Sequence, residues 1–116
     1  MLFRFPKNDK QFVWTDHAKR KMLQYRLSDQ KIKIILNNPV RTERGIAPKT
    51  VAKMKRNDTA KRKEELWVMY QEQVKSEKSK VQKLKIISTW RYPGVSPKRE
   101  VPIPQDILDE LEKDAD

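Results

Sequence analysis

The chain contains no cysteine, only two glycines and a single histidine. Without cysteine there is no disulfide framework and no thiolate metal site, and one histidine leaves too few ligands for an all-protein zinc site. Two glycines cannot build a phosphate-cradling loop of the dinucleotide or P-loop type. No Gly-x-Ser-x-Gly elbow occurs, and the acids are scattered with no His-x-x-x-His partner. Neither a metal nor a nucleotide cofactor is expected. No apolar run approaches the roughly 20 residues of a membrane span. The opening Met1 to Pro6 carries Arg4 and lacks the apolar stretch of about 7 to 15 residues of a secretory signal. These absences predict a soluble cytoplasmic protein with no membrane attachment.

What is abundant is positive charge. Lys and Arg number 27 against 16 Asp and Glu over 116 residues, a formal net charge of +11. The charge is segregated, for residues 1–105 hold 26 of the basic side chains and 10 of the acids, whereas residues 106–116 hold one lysine and six acids. A body so basic repels itself and attracts polyanions, because each phosphate contact releases condensed counterions. Nucleic acid is the default partner, with an anionic membrane surface or an acidic protein behind it. The length suits one domain, residues 1–116, with a core over 12–92 and a C-terminal extension over 93–116.

Periodicity assigns the elements. Phe12-Val13-Trp14 reads as a short strand, and Thr15-Asp16 caps a helix that begins at His17. Ala18, Met22 and Tyr25 share a packing arc, while His17, Arg20, Lys21 and Gln24 form a second arc facing water or a ligand. Ser28-Asp29 caps a second helix bearing Ile32, Ile35 and Leu36, which ends at Asn37-Asn38-Pro39. Val40 to Arg44 and Thr50 to Arg56 read as strands, the second open to a helical alternative. Residues 57–65 read as a polar loop, Leu66 to Tyr70 as a strand, Gln71 to Lys80 as a connector and Val81 to Tyr92 as the longest extended run. Pro104 to Glu112 carries Ile107, Leu108 and Leu111 at helical spacing. The sum is an α+β fold: a small antiparallel sheet of three to four strands, a two-helix hairpin on one face and a short C-terminal helix.

Alternation along the last strand separates Leu84, Ile86, Ser88, Trp90 and Tyr92 from Lys83, Lys85, Ile87, Thr89 and Arg91, so one side is core and the other largely cationic. Joined by Lys53 and Lys55, that side offers cations at strand spacing for a nucleic-acid backbone, with Trp90, Tyr92 or Trp67 at its edge to stack a base. Cleaving RNA without metal needs a proton acceptor, cations for the developing phosphorane and an acid for the leaving oxygen, all within reach of His, Tyr, Lys and Arg chemistry. The same residues equally describe a non-catalytic nucleic-acid-binding module, or a protein-interaction domain for an acidic partner. The acidic segment Asp106 to Asp116 reads either as a plain terminal helix or as a strap across the cationic face.

The run Trp14-Thr15-Asp16-His17-Ala18-Lys19-Arg20-Lys21-Met22, the Leu27-Ser28 entry into a helix ending at Asn37-Asn38-Pro39, and the Leu84 to Arg91 strand resemble the RelE/ParE-like toxin superfamily. They are most similar to its BrnT-like branch with a His-Ala-x-x-Arg-Met first helix. The resemblance covers residues 12–92. It implies a RelE-like α+β fold and metal-independent RNA cleavage, often on the ribosome, by an endoribonuclease of toxin-antitoxin type that an antitoxin neutralises by covering the basic face. It matches Lys53, Lys55 or Arg56 to the family's middle-strand cations, Arg91 to its strand arginine, and Tyr92 or Tyr70 to its proton-transfer residue. His17 matches the branch's first-helix histidine, whose role the resemblance leaves undefined. With Lys83, Lys85, Arg20 and Lys21 as nucleic-acid contacts, these are the candidate site residues. The polar insertion at 57–65 and the acidic C-terminal helix depart from the family pattern.

Overall fold

Two hydroxyl caps set the helical hairpin. Thr15 Oγ1 accepts from Ala18 N at 3.1 Å to open α1 (Asp16–Tyr25), and Ser28 Oγ accepts from Lys31 N at 3.2 Å to open α2 (Asp29–Asn37). Each cap satisfies a first-turn amide that has no carbonyl partner within its own helix. Thr15 Oγ1 also donates to Ile86 O at 2.8 Å, which fixes the start of α1 to the sheet. Arg26 closes α1 in the left-handed region at φ 56°, and Leu27 N returns to Met22 O.

The computed structural model describes residues 4–74 and 82–114. Its strands are β1 (Phe12–Trp14), β2 (Arg41–Arg44), β3 (Thr50–Arg56), β4 (Glu64–Val74) and β5 (Gln82–Pro93), followed by α3 (Gln105–Asp114). They form one sheet in the order β1-β5-β4-β3-β2. β1 runs parallel to β5, pairing Phe12 with Leu84 and Trp14 with Ile86, and every other neighbour is antiparallel. The α+β class matches the sequence reading, but the sheet has five strands and is mixed, where three or four antiparallel strands were expected. β1 falls where a short strand was read, but its parallel pairing with β5, some 70 residues downstream, was not foreseen, because no local turn signal marks such a connection.

Both faces of the sheet are covered, which corrects the expectation of helices on one side only. On one face α1 and α2 bury Ala18, Met22, Leu27, Ile32, Ile35 and Leu36 against Trp14, Leu66, Val68, Tyr70 and Ile86. On the other, Val101, Ile103, Ile107 and Leu111 from the C-terminal segment pack on Ala52, Met54, Trp67, Met69 and Trp90. Residues beyond 92 thus complete the second core. β4 lies between the two layers, and every residue from Glu64 to Tyr70 is buried, so its apolar stretch is continuous rather than alternating. The strand begins at Glu64, inside the predicted loop, and runs to Val74, inside the predicted connector. The rest of that connector, including the predicted strand start at Val81, lies outside the described residues.

One irregularity governs the rest. Met69 pairs with Ser88 but Tyr70 pairs with Ile86, so Ile87 is an additional residue on β5. Such a bulge reverses the alternation of faces along its strand. Leu84 and Ile86 therefore belong to the layer beneath α1 and α2, whereas Trp90 and Tyr92 belong to the layer beneath α3.

Candidate nucleic-acid interface

The bulge dismantles the single cationic face. Arg91 pairs with Leu66, and Lys53 and Lys55 pair with Val68 and Leu66 across β3 and β4, so all three project to the α1/α2 side. Lys85 pairs with Gln71 and lines a cavity with α3 residues, and Lys83, two positions away, shares its parity on the α3 side. Lys83 and Lys85 are thus on the opposite face from Arg91, Lys53 and Lys55, against the expectation of one shared platform.

The α1/α2-side cations serve the fold. Lys53 Nζ donates to Leu36 O at 3.2 Å and lies 5.4 Å from the centre of the Tyr70 ring, and Lys55 Nζ donates to Asn38 O at 3.4 Å. Both neutralise carbonyls at the end of α2, where the helix dipole is negative. Arg91 does the same for α1, donating to Tyr25 O at 2.7 Å and Arg26 O at 3.3 Å, while its remaining arm pairs with Glu64 at 3.0 Å. On the α3 side, Arg56 clamps Asp58 with two donors and reaches Glu65 and Gly94 O.

Sequence reasoning missed Glu65. Its carboxylate is fully buried and accepts from Trp67 Nε1 at 2.9 Å, Ser96 N at 2.9 Å and Ser96 Oγ at 2.7 Å, with Arg56 at 3.1 Å. Burial works to raise its pKa, but the hydrogen bonds from Ser96 and Trp67, with the charge of Arg41, outweigh burial and hold it below the ordinary range. Arg41 completes the cluster by donating to Ser96 and to the carbonyls of Pro97 and Glu100. The pair ties the segment leading to α3 onto the sheet.

A second polar cluster joins α1 to α3. Lys21 is almost fully buried and spends all three Nζ donors, on Gln24 at 2.9 Å, Asp106 at 2.9 Å and Glu110 at 2.7 Å. The hydrogen bonds from Lys21 hold Asp106 and Glu110 below the usual carboxylate range. Burial opposes the charge on Lys21, but its two acid partners raise its pKa overall. His17 Nδ1 faces Glu110 Oε2 at 3.0 Å, and its Nε2 faces Ser88 Oγ at 3.0 Å. Ser88, His17 and Glu110 have the spacing of a nucleophile, base and acid, but the Ser88 side chain is wholly buried, so the set acts as a polar bridge. α3 thus folds over α1 and β5, beside Lys85 and on the opposite face from Lys53 and Lys55. A trace of this was legible: Asp106 and Glu110 are four residues apart on one face of the last helix.

The four proposed reaction residues do not converge. Tyr70 is buried in the α1/α2 core, Arg91 closes the end of α1, Tyr92 packs on the α3 side, and His17 bridges α1 and α3. Beside His17 opens a cavity of about 840 Å³ lined by Asp16, His17, Arg20, Ile46, Lys85, Ile87, Leu108, Leu111 and Glu112, among others. It forms where the start of α1, β5 and α3 meet the turn between β2 and β3. Gly45 shapes that turn, since a Cβ there would collide with the Thr50 side chain. Lys85, Lys83, Lys49 and Arg44 make no ion pair among the described residues, and Arg20 has only a 3.9 Å contact with Glu110. No family model, curated protein or solved structure matches the chain.

Proposed function

We propose that the chain is an RNA-binding protein of the RelE/ParE-like type, gripping a single strand at the end of the sheet around Arg20, Lys49, Lys83 and Lys85. One observation carries this reading. Most other cations discussed above are committed to helix-end carbonyls or internal acids, whereas Lys49, Lys83 and Lys85 make no ion pair among the described residues and belong to a chain of net charge +11. Cations outside any close ion pair, next to a crevice, favour a polyanion by counterion release. The reading is for binding. Cleavage by Arg91, Tyr92, Tyr70 and His17 is not part of it, because those groups share no common point where a phosphate could sit. The resemblance over residues 12–92 supports RNA over other polyanions, and an acidic antitoxin-like partner is the natural competitor for the same cations.

Fluorescence anisotropy with a labelled single-stranded RNA across a salt series tests the proposal. The logarithm of affinity is expected to fall linearly with log salt, and the Lys83→Ala, Lys85→Ala double variant to flatten the slope by about 1 to 2. Lys53→Ala, at a lysine whose ammonium is committed to Leu36 O and the Tyr70 ring, is expected to keep the slope. No binding at low salt, or binding indifferent to salt, overturns the reading. Incubation with RNA in EDTA, with Arg91→Ala alongside, asks separately whether cleavage occurs.

A further inference from the structure

The cavity has features that backbone binding does not use. Its wall is aliphatic, built from Ile46, Ile87, Leu108 and Leu111, and two carboxylates, Asp16 and Glu112, stand beside the cations Arg20 and Lys85. At about 840 Å³ it falls within the range of small-molecule sites. A purely cationic groove would need neither the apolar wall nor the acids, which repel phosphate. An isolated organic anion is equally ill served, since the charges of the lining cancel. Cations also continue outside the cavity. Lys83 stands two residues from Lys85 on the same strand face, roughly 7 Å away, and Lys49 lies in the turn that supplies Ile46. A ligand that satisfies both sets is a polymer with charged linkages and an uncharged, flat, partly apolar unit.

We infer that the cavity receives one unstacked base of an RNA strand, with Arg20 and Lys85 on the flanking phosphates and Asp16 and Glu112 accepting from the base's exocyclic amino group. The inference rests on the RNA-binding reading and adds a substrate preference to it. Carboxylates accept hydrogen bonds and cannot donate them, so cytosine, which bears an amine, fits better than uracil, which offers a carbonyl oxygen at the same position. The aliphatic wall takes the ring faces whatever the base. Ile46 is exposed and Leu108 is half-buried, whereas Ile87 and Leu111 pack on the second core, so the first two are the wall residues to substitute.

Three probes of equal charge separate the possibilities: hexacytidylate, hexauridylate and a base-less ribose-phosphate hexamer, each titrated at fixed salt. The expected order of affinity is cytidylate, then uridylate, then the base-less chain, with about fivefold or more between first and last. Leu108→Trp, which adds bulk to the cavity wall, is expected to reduce the difference while leaving the base-less chain unaffected, provided its thermal melt stays cooperative. Ile46→Ala, at an exposed position, is expected to shrink the difference without altering the melt. Equal affinity for all three probes overturns the inference and leaves the RNA reading standing. So does a preference unchanged in both variants. Uridylate binding as tightly as cytidylate removes the role given to Asp16 and Glu112. No binding of any probe at low salt overturns both readings.

Discussion

Glu65 carries more structural consequence than any lysine singled out from the sequence. It is wholly buried, yet it receives donors from β4 and from the Ser96 segment, and an arginine from β3. Removing one member of such a buried set strands the others, which typically costs about 3 to 5 kcal/mol. Glu65→Ala is therefore expected to lower the unfolding free energy by about that amount in urea titrations, and Glu65→Gln, which keeps an acceptor, by less. None of this is visible in the string Lys-Glu-Glu-Leu-Trp, where Glu65 looks like the polar end of a loop. Long side chains hide their destinations in the same way. Arg91 alternates with Trp90 and Tyr92 as a solvent-facing cation would, and only the fold reveals that its guanidinium ends on the carbonyls of Tyr25 and Arg26.

At the scale of elements, α1 and α3 were legible because capping and helical spacing are local signals. Thr15 and Ser28 both cap as read, and α3 begins at Gln105. Their packing partners were not legible, since periodicity names a buried face but not its neighbour. α3 is held by Ile107 in the core and by Asp106 and Glu110 on Lys21. Ile107→Ala is expected to cost about 2 to 4 kcal/mol by leaving a cavity under Trp67 and Trp90, measurable by chemical denaturation. The acid contacts add a pH dependence. Asp106 and Glu110 sit below their ordinary pKa values of 3.8 and 4.5 in the folded chain. Their contribution is thus fully present above about pH 5 and is lost as the pH falls through the depressed folded values. The urea midpoint is expected to drop between pH 6 and pH 3, and Lys21→Met, by removing the partner, to reduce that acid-side drop. Truncating at residue 104 is a poor probe of RNA competition, because it uncovers the second core.

For the molecule as a whole, a net charge of +11 on 116 residues sets a background repulsion among exposed cations. Salt screens it over a Debye length of about 10 Å at 0.1 M, whereas the buried pairs around Lys21 and Glu65 are screened far less. Raising salt from about 10 mM to about 150 mM is accordingly expected to raise the thermal midpoint while weakening RNA binding. Opposite responses of the two readouts to one variable would separate global repulsion from phosphate recognition.

Ile87 fixes the length of β5 more tightly than its composition. On either side of that residue the strand obeys opposite parities, so a one-residue deletion there restores strict alternation and sends either Leu84 with Ile86, or Trp90 with Tyr92, into the wrong layer. Ile87→Val keeps the frame, and its calorimetric transition is expected to remain single and sharp. The deletion variant is expected to lose cooperative melting altogether, a frameshift in side-chain geometry with no change in the genetic one.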